Sequence, residues 1–208
     1  ACALKESWRQ RLCAVNFMKS FVMATTGTTE ADDKGIRTIG ELLMKLEAAV
    51  DKELLYPALI TLWILSADPV PTVSQEAQLV WHQAIPNTGN LLRNTMDILL
   101  ERISVFTHSE YEVVRTVGAY AMANSIRKLK TRFLKKCFEC IEEQLDEQDI
   151  DAVHGAILDI HLMIELLTQE EKIHVCEMLA PFLSSPFTII RQESFEAFVQ
   201  MRDSLGEQ

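Results

Sequence analysis

Cys137 and Cys140 stand in a C-x-x-C spacing, that of a zinc half-site or a dithiol redox pair. A complete zinc site needs a second pair or histidines at fixed separation, and none lies close in the sequence. The two thiols therefore read as packing on neighbouring positions of one helix face. His154 and His161 are seven residues apart and share a helix face, while His82, His108 and His174 are isolated. No H-E-x-x-H or similar ligand spacing exists, so these are expected as core or rim histidines. Glu142 and Glu143 have the chemistry of an acid/base pair, but they belong to a run through Asp146, Glu147, Asp149 and Asp151 that reads as a solvated helix end and loop. There is no P-loop, no G-x-G-x-x-G and no G-x-S-x-G. The expectation is a protein that is not an enzyme, with no catalytic residue, no metal ligand and no cofactor.

The surface chemistry that stands out is a cluster of cations: Arg127, Lys128, Lys130, Arg132, Lys135 and Lys136, with no acid among its neighbours. Residues 115 to 136 hold seven basic and no acidic side chains, against ten and fourteen before them and three and sixteen after. The formal charge of −10 argues against a generic nucleic-acid binder, so contact with nucleic acid is expected only locally. This basic stretch is the candidate interaction edge. It can meet ribosomal RNA, an acidic protein or the chain's own acidic repeats, or it can be a solvated edge, and its attraction is screened over about 8 Å.

The elements that must carry this edge are helices. Apolar residues recur at spacings of three and four, strand alternation is absent, and seven glycines and six prolines punctuate the chain. The pattern predicts helices near 5–24, 35–49, 51–67, 72–86, 89–106, 110–129, 131–146, 149–167, 170–184 and 187–205, or about five pairs. Aligning every second helix makes Gln10, Val73, Val114, Ala152 and Ile190 equivalent, the last three gaps being 41, 38 and 38 residues. Five residues on come Val15, Gln78, Ala119, Ile157 and Phe195; eight on come Met18, Trp81, Met122, Ile160 and Phe198. An arginine follows the anchor at Arg11, Arg115 and Arg191. A period near forty with two helices per unit predicts an all-α, HEAT/ARM-like α-solenoid. The longer first gap of 63 residues places an inserted flexible loop near 25–34, and Asp68 and Ser109 read as helix caps.

At 208 residues and 48% apolar composition the chain can build a substantial core, and nothing in its uniform composition divides it, so 1–208 reads as a single repeat segment. Five scattered cysteines suit reduced thiols. The longest apolar stretches, such as Ala58 to Ala67, are too short to span a bilayer, and no basic-then-apolar leader opens the chain. A cytosolic or nuclear home without a membrane partner is expected. The ends, Ala1 and Gly206-Glu207-Gln208, suggest a piece excised from something longer.

Ser7-Trp8-Arg9-Gln10-Arg11 opening a helix, the Thr/Asp-rich loop, Val73 through Trp81 to Asn87-Thr88, and Leu91-Leu92 come in an order that resembles a known family. Val117-Gly118 with Arg127-Lys128-Leu129, then Ile190-Arg191-Gln192-Glu193 with Phe195, Leu205-Gly206 and Gln208, continue it. This succession is similar to consecutive repeats of the general control non-derepressible protein one family of giant HEAT-repeat translational activators. The sequence departs from that pattern at Ser74, at Gln78, and at Lys130-Thr131-Arg132, where Gly-Glu is expected.

The resemblance implies a cytoplasmic, ribosome-associated scaffold. Its parent protein would bind ribosomes and promote activation of the initiation-factor-two alpha kinase in amino-acid starvation or ribosome stalling, a stress response. The resemblance assigns no kinase contact to residues of this segment, and other proteins would meet the solenoid surface. The alternative is a HEAT-repeat adaptor that binds peptide or protein cargo in transport or cytoskeletal assemblies.

Overall fold

Because the apolar residues fall three and four apart, each helix has one stripe to bury and must find a neighbour to bury it against. The computed structural model describes residues 2–26 and 41–206. Within them are eleven α-helices and no strand: α1 (Trp8–Thr26), α2 (Glu41–Ala49), α3 (Lys52–Leu65), α4 (Pro71–Ala84), α5 (Thr88–Asn94), α6 (Met96–Thr107), α7 (Glu112–Leu129), α8 (Thr131–Leu145), α9 (Ile150–Met163), α10 (Gln169–Leu179) and α11 (Thr188–Gly206). Short 3-10 segments occupy Cys2–Leu4, Ile164–Leu166 and Ala180–Ser184. Among the described residues no helix is long and apolar enough to cross a membrane.

The helix expected over 89–106 is two helices. Thr95, with φ −117° and ψ 26°, leaves helical geometry at the join. Its N–H and its hydroxyl both donate to the Leu91 carbonyl, at 3.0 and 2.8 Å. The helix expected over 170–184 ends at Leu179 because Pro181 cannot donate an N–H to continue it, and a 3-10 segment follows. Of the loop expected near 25–34, Thr25 and Thr26 are the last turn of α1, and 27–34 lies outside the described residues, as does 35–40 of the following helix.

Among the described residues Asn87, Asp149 and Thr168 are side-chain caps. Asn87 accepts from Asn90 N and Asp149 from Asp151 N, while Thr168 and Glu171 form a reciprocal capping box. Asp68 and Ser109 are not N-caps. Each sits two residues ahead of one and accepts from it, Asp68 from Val70 N at 2.9 Å and Ser109 from Tyr111 N at 3.3 Å.

Two compact units make up the chain, Ala1–Arg102 and Ile103–Gln208. In the first, α1 lies along α4 and α3 packs on both. Trp81 is buried there, 5.2 Å between ring centroids from Trp63, and its Nε1 donates to Thr88 Oγ1 at 2.9 Å. In the second unit α9 is central, flanked by α7 and α11 in one layer, with α8 packed on both α7 and α9. Gly118 and Gly155 let α7 and α9 close on the chain at Thr107. A Cβ at position 155 would stand 2.1 Å from the Thr107 carbonyl oxygen.

The sequence repeat maps onto this packing. α1 and α4 in the first unit, and α7, α9 and α11 in the second, are the helices whose starts align. Of their shared positions Val15, Ala119, Ile157, Trp81, Met122 and Ile160 are buried and Met18 and Phe198 half-buried, whereas Gln78 and Phe195 are exposed. The fold class is all-α and HEAT/ARM-like, each unit built from helical hairpins laid side by side.

Candidate interaction edge

The arginine that follows three of the five anchors has a structural task. Arg11 Nη1 donates to the Lys5 and Glu6 carbonyls at 2.9 and 2.6 Å, Arg115 Nη1 to Ser109 O at 2.6 Å, and Arg191 Nη1 to Ser185 O at 2.6 Å. Each guanidinium thus fastens the loop that leads into its own helix. Two of them also reach across to the next repeat of their unit: Arg11 Nε to Asp68 Oδ2 in the loop ahead of α4 at 2.6 Å, and Arg115 Nη1 to Asp151 Oδ1 in the first turn of α9 at 2.7 Å. Asp151 is therefore an ion-pair partner and not merely part of a solvated run. Glu142 and Glu147 of that run likewise meet His174 and His108, at 3.0 and 3.1 Å.

The two histidines of α9 divide as core and rim. His154 is buried, and its Nδ1 accepts from Arg115 Nε at 3.0 Å, so the ring is neutral with its proton on Nε2. Burial, then the Arg115 charge, holds its pKa below the ordinary histidine value. His161 is half-buried, and its Nδ1 donates to Glu193 Oε1 at 2.6 Å. This raises the histidine pKa and lowers that of the glutamate.

With Glu196, His161 and Glu193 bring three potential ligand atoms within 4.8 Å of one another, a grouping that the ion pair accounts for. Cys137 is buried and Cys140 half-buried, both free, and burial raises both thiols, Cys140 to about 11. Neither joins a set of three such ligand atoms among the described residues. Beside them Asp159 is fully buried with no partner for either carboxylate oxygen, and burial drives its pKa well up. Sequence spacing gave no sign of this acid.

The six cations of the basic stretch gather on the turn between α7 and α8, within the second unit. α8 buries Phe133, Leu134, Cys137, Ile141 and Gln144. Helical spacing therefore turns Arg132 and Lys135 outward and leaves Lys136 half-buried. Arg127 and Lys128 close α7 and are exposed, Arg127 donating to Asn124 Oδ1 at 2.9 Å. Among the described residues, Arg127, Lys128, Lys130, Arg132 and Lys135 form no ion pair.

Lys130 is the joint: it is the C-cap of α7 and the N-cap of α8 at once, with φ 58° and ψ −147°. That region belongs to glycine. No side chain caps the first turn of α8. Beside the turn, between the N-terminal turns of α8 and α10, two small clefts of about 300 and 240 Å³ share Thr131, Leu134 and Glu171 in their walls.

No family model matches the chain. It is 23% identical over 213 residues to the eIF-2-alpha kinase activator GCN1 of Dictyostelium discoideum, and 22% identical over 214 residues to the stalled ribosome sensor GCN1 of Homo sapiens. In both cases 97% of this chain is covered, and it spans about 8% of the length of the relative. Among solved structures, a designed armadillo repeat protein in complex with the peptide (KR)4 aligns over 95% of this chain and 77% of its own. The TM-score is 0.38 and the identity 16%.

Proposed function

From a chain related over nearly its whole length to the GCN1 family, we propose that it serves as a non-catalytic scaffold segment within a larger, ribosome-associated translational activator. The match over 97% of the chain carries this reading, because it extends over nearly the whole chain and not over one motif. In this role the hairpins of each unit hold their turns on a stiff frame, and the α7–α8 turn presents its cations to the ribosome. Activation of the initiation-factor-two alpha kinase belongs to the parent protein, in the cytoplasm, and no residue described above is assigned to it.

The test is co-sedimentation with ribosomes at low salt. The variant in which Arg127, Lys128, Arg132 and Lys135 are replaced by Glu should lose most of the bound fraction, and wild-type binding should fall as salt rises. Equal sedimentation of the two proteins would leave the edge without a ribosomal role.

A further inference from the structure

The cations of the α7–α8 turn border a groove. Its floor is Ile126, Leu134, Phe138 and Leu166, its basic wall Arg127, Lys130 and Lys135, and its far wall the start of α10 with Glu170 and Glu171. The two clefts run together through Thr131, Leu134 and Glu171, so an extended segment can lie along both. Phe138 stands edge-on to His174 at 5.7 Å and is only half-buried, leaving apolar surface for a bulky side chain between α8 and α10.

We propose that this groove binds an acidic protein segment carrying a bulky apolar anchor: the anchor seats on Leu134 and Phe138, and flanking carboxylates meet Arg127, Lys130 and Lys135. The proposal rests on the reading of the α7–α8 turn as a contact surface and names the partner's chemistry there.

Charge decides between a peptide and RNA. A phosphodiester backbone needs a continuous basic rail, and here it would run beside Glu170 and Glu171. Glu171 cannot swing away, because its carboxylate is held by Thr168 N at 2.7 Å and Thr168 Oγ1 at 2.9 Å in the capping box. An acidic peptide confines its charge to a few positions and can set a bulky apolar side chain against the floor between them. The start of α8 adds to the match, since its first-turn N–H groups have no side-chain cap and favour a carboxylate.

Fluorescence anisotropy of the 208-residue chain with a labelled Asp/Glu-rich peptide bearing one central Phe tests this. The same peptide with Ser for Phe, and an oligouridine, serve as comparators. Binding should weaken at least tenfold without the Phe, and at least tenfold in the R127E/K130E/K135E variant. It should also weaken in Phe138→Ala, whose fold is checked by circular dichroism, and oligouridine should not displace the peptide. Tighter binding of oligouridine, indifference to the Phe, or no peptide binding at all would overturn the proposal. If the charge-reversed chain loses ribosomes while the peptide fails to bind, the groove is wrong and the ribosomal reading stands. The converse pattern removes the ribosomal reading and keeps the groove.

Discussion

Asp159 is the residue whose chemistry is least reconciled with its surroundings. It lies in the central helix of the second unit, fully buried, with neither oxygen partnered. Burial favours the neutral acid and raises the pKa above the ordinary 3.8. Below that pH both folded and unfolded chains are protonated here, and the group contributes nothing to pH dependence. As pH rises past it, the unfolded chain ionises while the folded one keeps its proton, so stability falls with rising pH until the folded pKa is reached. Asp159→Asn, which cannot ionise, should therefore melt higher than wild type at pH 7, with the gap closing towards pH 4. Thermal melts at several pH values check this, and a gap independent of pH would contradict it. His154 acts in the opposite direction: its lowered pKa contributes stability above the ordinary histidine value that is lost on acidification.

Among elements, the joint between α7 and α8 matters most, because it aims the basic edge. Lys130 holds a backbone conformation that costs a non-glycine residue of order 1–3 kcal/mol. Lys130→Gly should raise the stability of the second unit by about 1 kcal/mol in denaturant titration. Lys130→Ala, which keeps a Cβ, should not. Equal effects of the two would mean that removing charge, and not strain, is what counts. The hairpin itself was legible in the sequence, since its two helices were placed within a few residues of their observed ends. So was the grouping of the cations on its turn. The positive φ was not, because nothing local in Lys130-Thr131-Arg132 signals it. Nor was the break at Thr95, where the backbone leaves helical geometry within a run of unbroken helical periodicity. The arginine register was visible, but its purpose depends on partners 57 and 36 residues away, Asp68 and Asp151, which local reading assigned to a cap and to a solvated run.

At the scale of the whole molecule, charge is sorted along the chain. A net −10 protein keeps seven cations and no acid between residues 115 and 136, followed by sixteen acids against three bases. Long-range attraction to an anionic assembly is therefore concentrated at the α7–α8 turn, where cations gather without acids. The central claim is that this turn faces the ribosome. Site-specific photo-cross-linking tests it most directly, with the cross-linker placed at Lys128 or Arg132 and, for comparison, at the exposed Leu54 of the first unit. The account predicts cross-links to ribosomal components from positions 128 and 132, lost at high salt, and few from position 54. Ribosomal cross-links from position 54 with none from the turn would contradict it.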